Sequence, residues 1–242
     1  MDTPKDLASF EKRLSQLKET MKLLSTDEKD PIFDGPVESE LYFNSSIKIL
    51  WILKEGYDNE NNGKGGFDYS KYLSQDNVYE NFLEGERYRA TWYPIIFVSF
   101  GILNNFAKYN EISFIENDNS VADVIHNVAV ININKLAGGS SSNHTEISKK
   151  FHANKELLLQ QIEVLQPDII IGGGTLSYFY PLLKLNEKTH KETLAGLEYY
   201  YDDKKIFINA KHPSHRLKGK ENFVSETYVD DIIEVCRVHF LK

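Results

Sequence analysis

The strongest constraint in this sequence is a set of short, almost wholly apolar runs separated by helical patterns. Ile47 to Leu53 (IKILWIL), Asn127 to Ile133 (NVAVINI) and Ile169 to Ile171 are rich in β-branched residues. They lack the strict alternation of a strand with one wet face. Strands of this kind are buried on both sides, so helices must cover both faces of a mostly parallel sheet. The predicted fold class is therefore α/β, with a three-layer αβα arrangement.

The segments between the strands fit this plan. Asp6 to Ser25 carries Leu7, Phe10, Leu14, Leu17, Met21 and Leu24 at steps of three and four, which predicts an amphipathic helix. Asp30-Pro31 and Asp34-Gly35-Pro36 end it. A polar loop with four glycines is expected from Lys54 to Ser70. Pro94 to Phe106 reads as a buried helix with Pro94 near its start. Asn154 to Gln166 reads as a helix burying Leu157, Leu158, Ile162 and Leu165, after a small-residue loop from Ala137 to Asn143. Gly172-Gly173-Gly174 is expected to open another helix. Leu197 to Tyr201 and Ile206 to Asn209 form a plausible hairpin around Asp202-Asp203-Lys204-Lys205, and a last helix runs from about Asn222 to Phe240. Residues 1–46 are expected to be a helical extension packed on an α/β domain of residues 47–242.

Composition removes several function classes. The single cysteine, Cys236, excludes an intrachain disulfide framework, a multi-cysteine zinc site and an all-cysteine iron–sulfur cluster. No run approaches the length of a membrane span, and Met1-Asp-Thr-Pro-Lys-Asp lacks an apolar signal core. The expectation is a cytoplasmic protein with no membrane partner. A net charge of −8 excludes a broadly basic nucleic-acid coat, so any DNA contact needs a local patch. One such patch holds Lys211, His212, His215, Arg216, Lys218 and Lys220, with no acid before Glu221.

Ligands of parallel α/β sheets bind beyond the carboxyl ends of the strands, which selects four places. The first holds Glu55 in Lys54-Glu55-Gly56-Tyr57. A carboxylate there can orient water or stabilise a developing cation, although an isolated Glu reads better as a solvated loop acid. The second holds Asn132, Asn134 and Lys135. An Asn amide can pair with a nucleobase edge, or simply satisfy nearby backbone. The third, Gly172 to Gly174, has neither a Walker lysine nor GxGxxG spacing, so close strand–helix packing explains it better than anion binding. The fourth is His212-Pro213-Ser214-His215, a poor metal pair and no nucleophile elbow. It is suited to an anionic leaving group or a phosphate.

The order of these parts is more specific than any one of them. A strand before Lys-Glu-Gly-Tyr, a strand before Asn-x-x-Lys, a strand before glycine and a strand before His-Pro-Ser together resemble the uracil-DNA glycosylase superfamily, over roughly Ile47 to Phe240. The family's first motif often reads Gly-Gln-Asp-Pro-Tyr, which places Glu55 in the slot of its water-assisting Asp and Tyr57 in its Tyr slot. Its base-reading Asn maps to Asn132, with Asn134 as the alternative register, and its late motif maps onto His212, Pro213 and Ser214. Glu stands for Asp and Gly56 for the stiff proline, departures that suit a larger or modified base, and the cluster cysteines of some branches are missing.

The resemblance implies a monofunctional glycosylase acting on uracil or a modified base in DNA, with no metal and no organic cofactor, working as a monomer. Glu55 and His212 would be catalytic, and Tyr57 or Phe67 would stack on the base. Lys135, Ser140 to Ser142, Lys211, Ser214 and Lys218 would hold phosphates. Arg216 or Leu217 would fill the gap left by the flipped nucleotide. Two other roles fit the same pattern, namely attack on modified phage bases in antiviral defence and a non-catalytic nucleic-acid-binding domain.

Overall fold

A computed structural model describes residues 4–58, 63–73, 78–83, 86–139, 142–215 and 224–241. The chain opens with helix α1 (Leu7–Lys22), capped by Asp6, whose side chain accepts from the Ser9 N–H at 2.7 Å. A short strand β1 (Gly35–Pro36) and helix α2 (Ser39–Asn44) lead to strand β2 (Ile49–Tyr57). Helices α3 (Tyr69–Leu73) and α4 (Glu86–Leu103) connect it to strand β3 (Val128–Gly138). Helix α5 (His144–Leu165) and strand β4 (Ile169–Gly173) follow. Strands β5 (Thr189–Glu192), β6 (Glu198–Tyr201) and β7 (Ile206–Ala210) precede the final helix α6 (Glu226–Phe240).

The strands form one mixed sheet in the order β1-β3-β2-β4-β7-β6-β5. Its centre, β3-β2-β4-β7, is parallel, while β1, β6 and β5 pair antiparallel at the two sides. Burial follows the alternation of a strand covered on both faces. Ile49, Trp51 and Leu53 enter one core with α4 and α6, whereas Leu50 and Ile52 enter another with α1 and α5. The chain is thus α/β with helices on both faces of the sheet, and the strand 197–209 hairpin forms as its sequence suggests. Among the described residues, no helix is long and apolar enough to cross a membrane.

Several boundaries differ from the sequence expectation, each for a local reason. Strand β2 runs on through Lys54-Glu55-Gly56-Tyr57, because Glu55 and Tyr57 stay in register with Asn134 and Gly138 of β3 across a bulge. The expected loop is shorter, and 59–62 within it lie outside the described residues. Helix α4 begins eight residues before Pro94, which sits in its interior. Complete burial of Ile95, Ile96 and Val98 offsets the hydrogen bond that proline forgoes. Helix α5 starts at His144 because Asn143 caps it, its Oδ1 accepting from Thr145 and Glu146 N–H. Gly172 and Gly173 complete β4 instead of opening a helix. Gly174 then turns with φ +70°, and only one 3₁₀ turn, Leu176–Phe179, follows.

The segment after α1 is stitched into the sheet. Asp30 and Phe33 bridge Gly65 and Asp68, and Pro31 bridges Leu136. Its Asp34 lies inside, and this corrects the reading of Lys135 as a phosphate contact. Lys135 is 1% exposed; its Nζ donates to both Asp34 oxygens at 2.9 and 3.0 Å and to Gln161 Oε1 at 2.7 Å. A buried ammonium that is fully satisfied has nothing to offer DNA. Burial pulls its pKa below the ordinary lysine value, and the Asp34 carboxylate opposes that shift.

Breaking this pair from one side strands a buried charge. Lys135→Met should therefore lower stability by about 3–5 kcal/mol, and Asp34→Asn added to it should restore part of the loss. Urea midpoints of the single and double variants check this; a single variant as stable as the parent would mean the pair is not a buried charge pair in solution.

Candidate active site at the carboxyl ends of the strands

The parallel centre places β2 between β3 on one side and β4 on the other, so the connection from β2 to β3 runs one way along the sheet and that from β3 to β4 runs back past β2. A crevice at the carboxyl ends of the strands is expected at such a reversal. The structure has a cleft of about 1140 Å³ there. It is lined by Leu53 and by Glu55, Gly56, Tyr57 and Asp58 from the end of β2, by Gly139 and Ser142 beyond β3, and by His212 and Ser214 beyond β7. Phe67, Tyr69, Tyr72, Tyr88 and Trp92 form an aromatic wall.

Glu55 is held from two sides. Asn134 Nδ2 donates to its Oε2 at 3.1 Å. The Asn134 amide cannot turn over, because its Oδ1 accepts from the Leu136 N–H at 3.2 Å. On the other side the carboxyl group packs against the bare Cα of Gly138, where a Cβ would collide with it. The result is a half-buried carboxylate fixed at the cleft wall.

His212 is positioned by its own loop. Ser214 N–H donates to His212 Nδ1 at 3.2 Å, and the Ser214 hydroxyl lies 2.8 Å from the same nitrogen. A backbone N–H can only donate, so Nδ1 is the acceptor and the ring proton of neutral His212 resides on Nε2. Burial, with the positive fields of Lys54 and His215, pushes its pKa down to about 4. The loop is seated closely: a Cβ at Gly173 would stand 2.8 Å from Leu53 Cδ2 and 3.0 Å from Pro213 Cδ. The triple glycine therefore serves close packing, and it draws the β4 and β7 ends together. Ser214 is engaged with the imidazole, not turned outward.

The remaining candidates divide. Tyr57 and Phe67 both line the cleft; Phe67 packs on Tyr69 at 5.5 Å and edge-on to Tyr72 at 5.7 Å between ring centroids. Asn132 lies at the same sheet end but is 1% exposed and behind the cleft surface. Its backbone N–H donates to Asp34 Oδ2 at 2.7 Å, while its Nδ2 makes longer contacts to Asp34 Oδ2 and the Tyr69 hydroxyl at 3.5 and 3.4 Å. Lys211 is exposed, next to His212 in the chain, its carbonyl accepting from the Tyr228 hydroxyl at 3.0 Å. Ser140, Arg216, Leu217 and Lys218 lie outside the described residues, as does Lys220.

Several lining residues carry no motif that marks them, among them Lys18 and Lys22 of α1, Tyr69, Trp92 and buried Asp58, which accepts from the Gly65 N–H at 2.8 Å. The only hint is the aromatic spacing of Phe67, Tyr69 and Tyr72. Among the described residues no group of three or more His, Cys, Asp or Glu side chains is placed to hold a metal ion. The chemistry on offer is a fixed carboxylate and a neutral N–H donor facing one aromatic-walled cleft.

The state of His212 gives a pH signature. Its folded pKa lies below the unfolded value of about 6.5, so the fold prefers the neutral ring. Above that pH it contributes nothing; as pH falls toward 4 the unfolded chain gains a proton the native ring refuses, and stability drops. Between pH 7 and 5 the parent should lose about 2 kcal/mol more than His212→Asn. Equal losses in denaturant titrations would show that the imidazole is not held neutral.

Comparison with known sequences adds no assignment to this geometry, since no protein-family model matches the chain and none of the curated proteins matches it.

Proposed function

We propose that this protein is a monofunctional DNA glycosylase that hydrolyses the N-glycosidic bond of a flipped-out uracil or modified base and leaves an abasic site. One observation carries the reading: Glu55 and a neutral His212, from two strands far apart in sequence, line the same cleft beside an aromatic wall. Glycoside cleavage needs both groups. As the C1′–N bond breaks, its electron pair leaves with the base and positive charge develops on the sugar. Glu55 stabilises that charge and accepts the proton of the water whose oxygen bonds to C1′. His212 Nε2–H donates a hydrogen bond to the anionic base, a task for which an imidazolium is not required. The extruded base needs a stacking surface, which Phe67, Tyr57 and the adjoining rings supply. Lys211, exposed and next to His212 in the chain, would meet a phosphate.

Gly56, where the family pattern has proline, is buried, and the room its missing side chain leaves is taken by Ile32 and the Tyr69 hydroxyl.

Incubation with duplexes carrying uracil and a panel of substituted pyrimidines, with detection of free base and abasic sites, tests the reading. Glu55→Gln should slow release about 10²–10⁴-fold with DNA binding intact. Gly138→Ala, which displaces the carboxylate, should mimic it. Near-parental turnover in Glu55→Gln removes the glutamate from the mechanism, and no release by the parent from any duplex refutes the proposal.

A further inference from the structure

We propose that Tyr69 is the residue that recognises the edge of the bound base, by donating its hydroxyl proton to a carbonyl or ring-nitrogen acceptor. The proposal rests on the reading of the cleft as a nucleobase site. It departs from the sequence expectation, in which Asn132 touches the base directly.

Tyr69 lines the cleft, whereas Asn132 sits behind it. The tyrosine is rigid. Its backbone N–H donates to the Phe33 carbonyl at 3.0 Å, and its ring meets Trp92 edge-on at 5.6 Å and Phe67 at 5.5 Å. Its hydroxyl occupies room made by Gly56, since a Cβ there would come within 2.8 Å of the oxygen. That places the hydroxyl beside the backbone that follows Glu55.

The direction of the hydrogen bond is fixed from behind. Asp34 can only accept, so the Asn132 amide must turn its Nδ2 toward that carboxylate. The same Nδ2 then donates to the Tyr69 hydroxyl. A hydroxyl that accepts in this way keeps its own proton for another partner, and among the described residues no acceptor is recorded for it. Burial and the nearby Asp34 hold the phenol protonated. Asn132 Oδ1 is likewise buried without a partner among the described residues, in an interior where such atoms are rare. Both features indicate a polar cluster completed by a ligand. Asn132 acts here as a positioning residue for Tyr69.

The test uses the full chain and weak-ligand NMR titrations with uracil, thymine, cytosine and adenine. Pyrrole, a small ring with an N–H donor and no lone-pair acceptor, is the control. Tyr69→Phe keeps the ring and should keep the melting temperature. It should weaken the best-bound base about tenfold and leave pyrrole unchanged. Gly56→Ala, which crowds the hydroxyl without removing it, should show the same selective loss. Unchanged base binding in Tyr69→Phe, an equal loss for pyrrole, or no binding of any base by the parent overturns the proposal. Base release from DNA judges the glycosylase separately. Release by the parent with an unaltered base preference in Tyr69→Phe sinks only the tyrosine. Tyrosine-dependent base binding without release sinks only the glycosylase.

Discussion

The buried carboxylate of Asp34 is the interaction on which the rest of this structure depends. It accepts from Lys135 Nζ, from the backbone N–H of Asn132 and from Gln161 Nε2, at 2.7 to 3.0 Å. Those partners belong to β3 and α5, and Asp34 itself belongs to the segment that follows α1. One charge therefore clamps the edge of the sheet, the helix behind it and the N-terminal region. A carboxylate this deep is tolerable only with such partners, and each partner is in turn held where the carboxylate requires it. The clamp reaches the cleft through Asn132, whose amide is oriented by Asp34 and meets the Tyr69 hydroxyl.

Missing side chains shape the site as much as present ones. Gly138 lets the Glu55 carboxyl lie against β3, and Gly173 lets Leu53 and Pro213 close over the end of β4. Parallel strands stand about 4.8 Å apart, so side chains on neighbouring strand ends would ordinarily fill the space between them. Bare Cα positions bring chemistry from β2 and the loop after β7 into one cleft without a long arm on either side. The triple glycine here has a packing role, with Leu176, Leu53 and Pro213 against it, and only a 3₁₀ turn follows.

The strands and the location of the cleft were legible because they follow from local pattern and one topological rule. Runs such as IKILWIL and Ile169 to Ile171 can be satisfied only by burial on both faces, and strand ends then specify where ligands sit. The lengths of elements were less legible. Lys54-Glu55-Gly56-Tyr57 has the composition of a loop, and only its pairing with β3, remote in sequence, keeps it extended. Pro94 marks a helix start by local preference, yet burial carries helix α4 through it. Lys135 shows the same limit within the site. Alternation turns it away from Asn134 and into the core, and its partner Asp34 lies 101 positions earlier, beyond any local pattern. Asn134 was legible as a polar group at a strand end; its commitment to Glu55 follows from cross-strand register, not from its own neighbours.

On the glycosylase reading, the two catalytic groups do different work within one cleft, and the structure gives each a different environment. Glu55 meets an amide donor and bare backbone. His212 is buried, and burial, reinforced by neighbouring Lys54, opposes a positive charge on its ring. A protonated histidine would neutralise the leaving group more strongly, but extracting it from water at this depth costs more than the single hydrogen bond it improves. The acidic body fits this division. With a net charge of −8, any attraction to phosphates would be confined to local cations. On that reading, discrimination falls to the interior of the cleft, where Glu55 is held by Asn134 and His212 by its own loop.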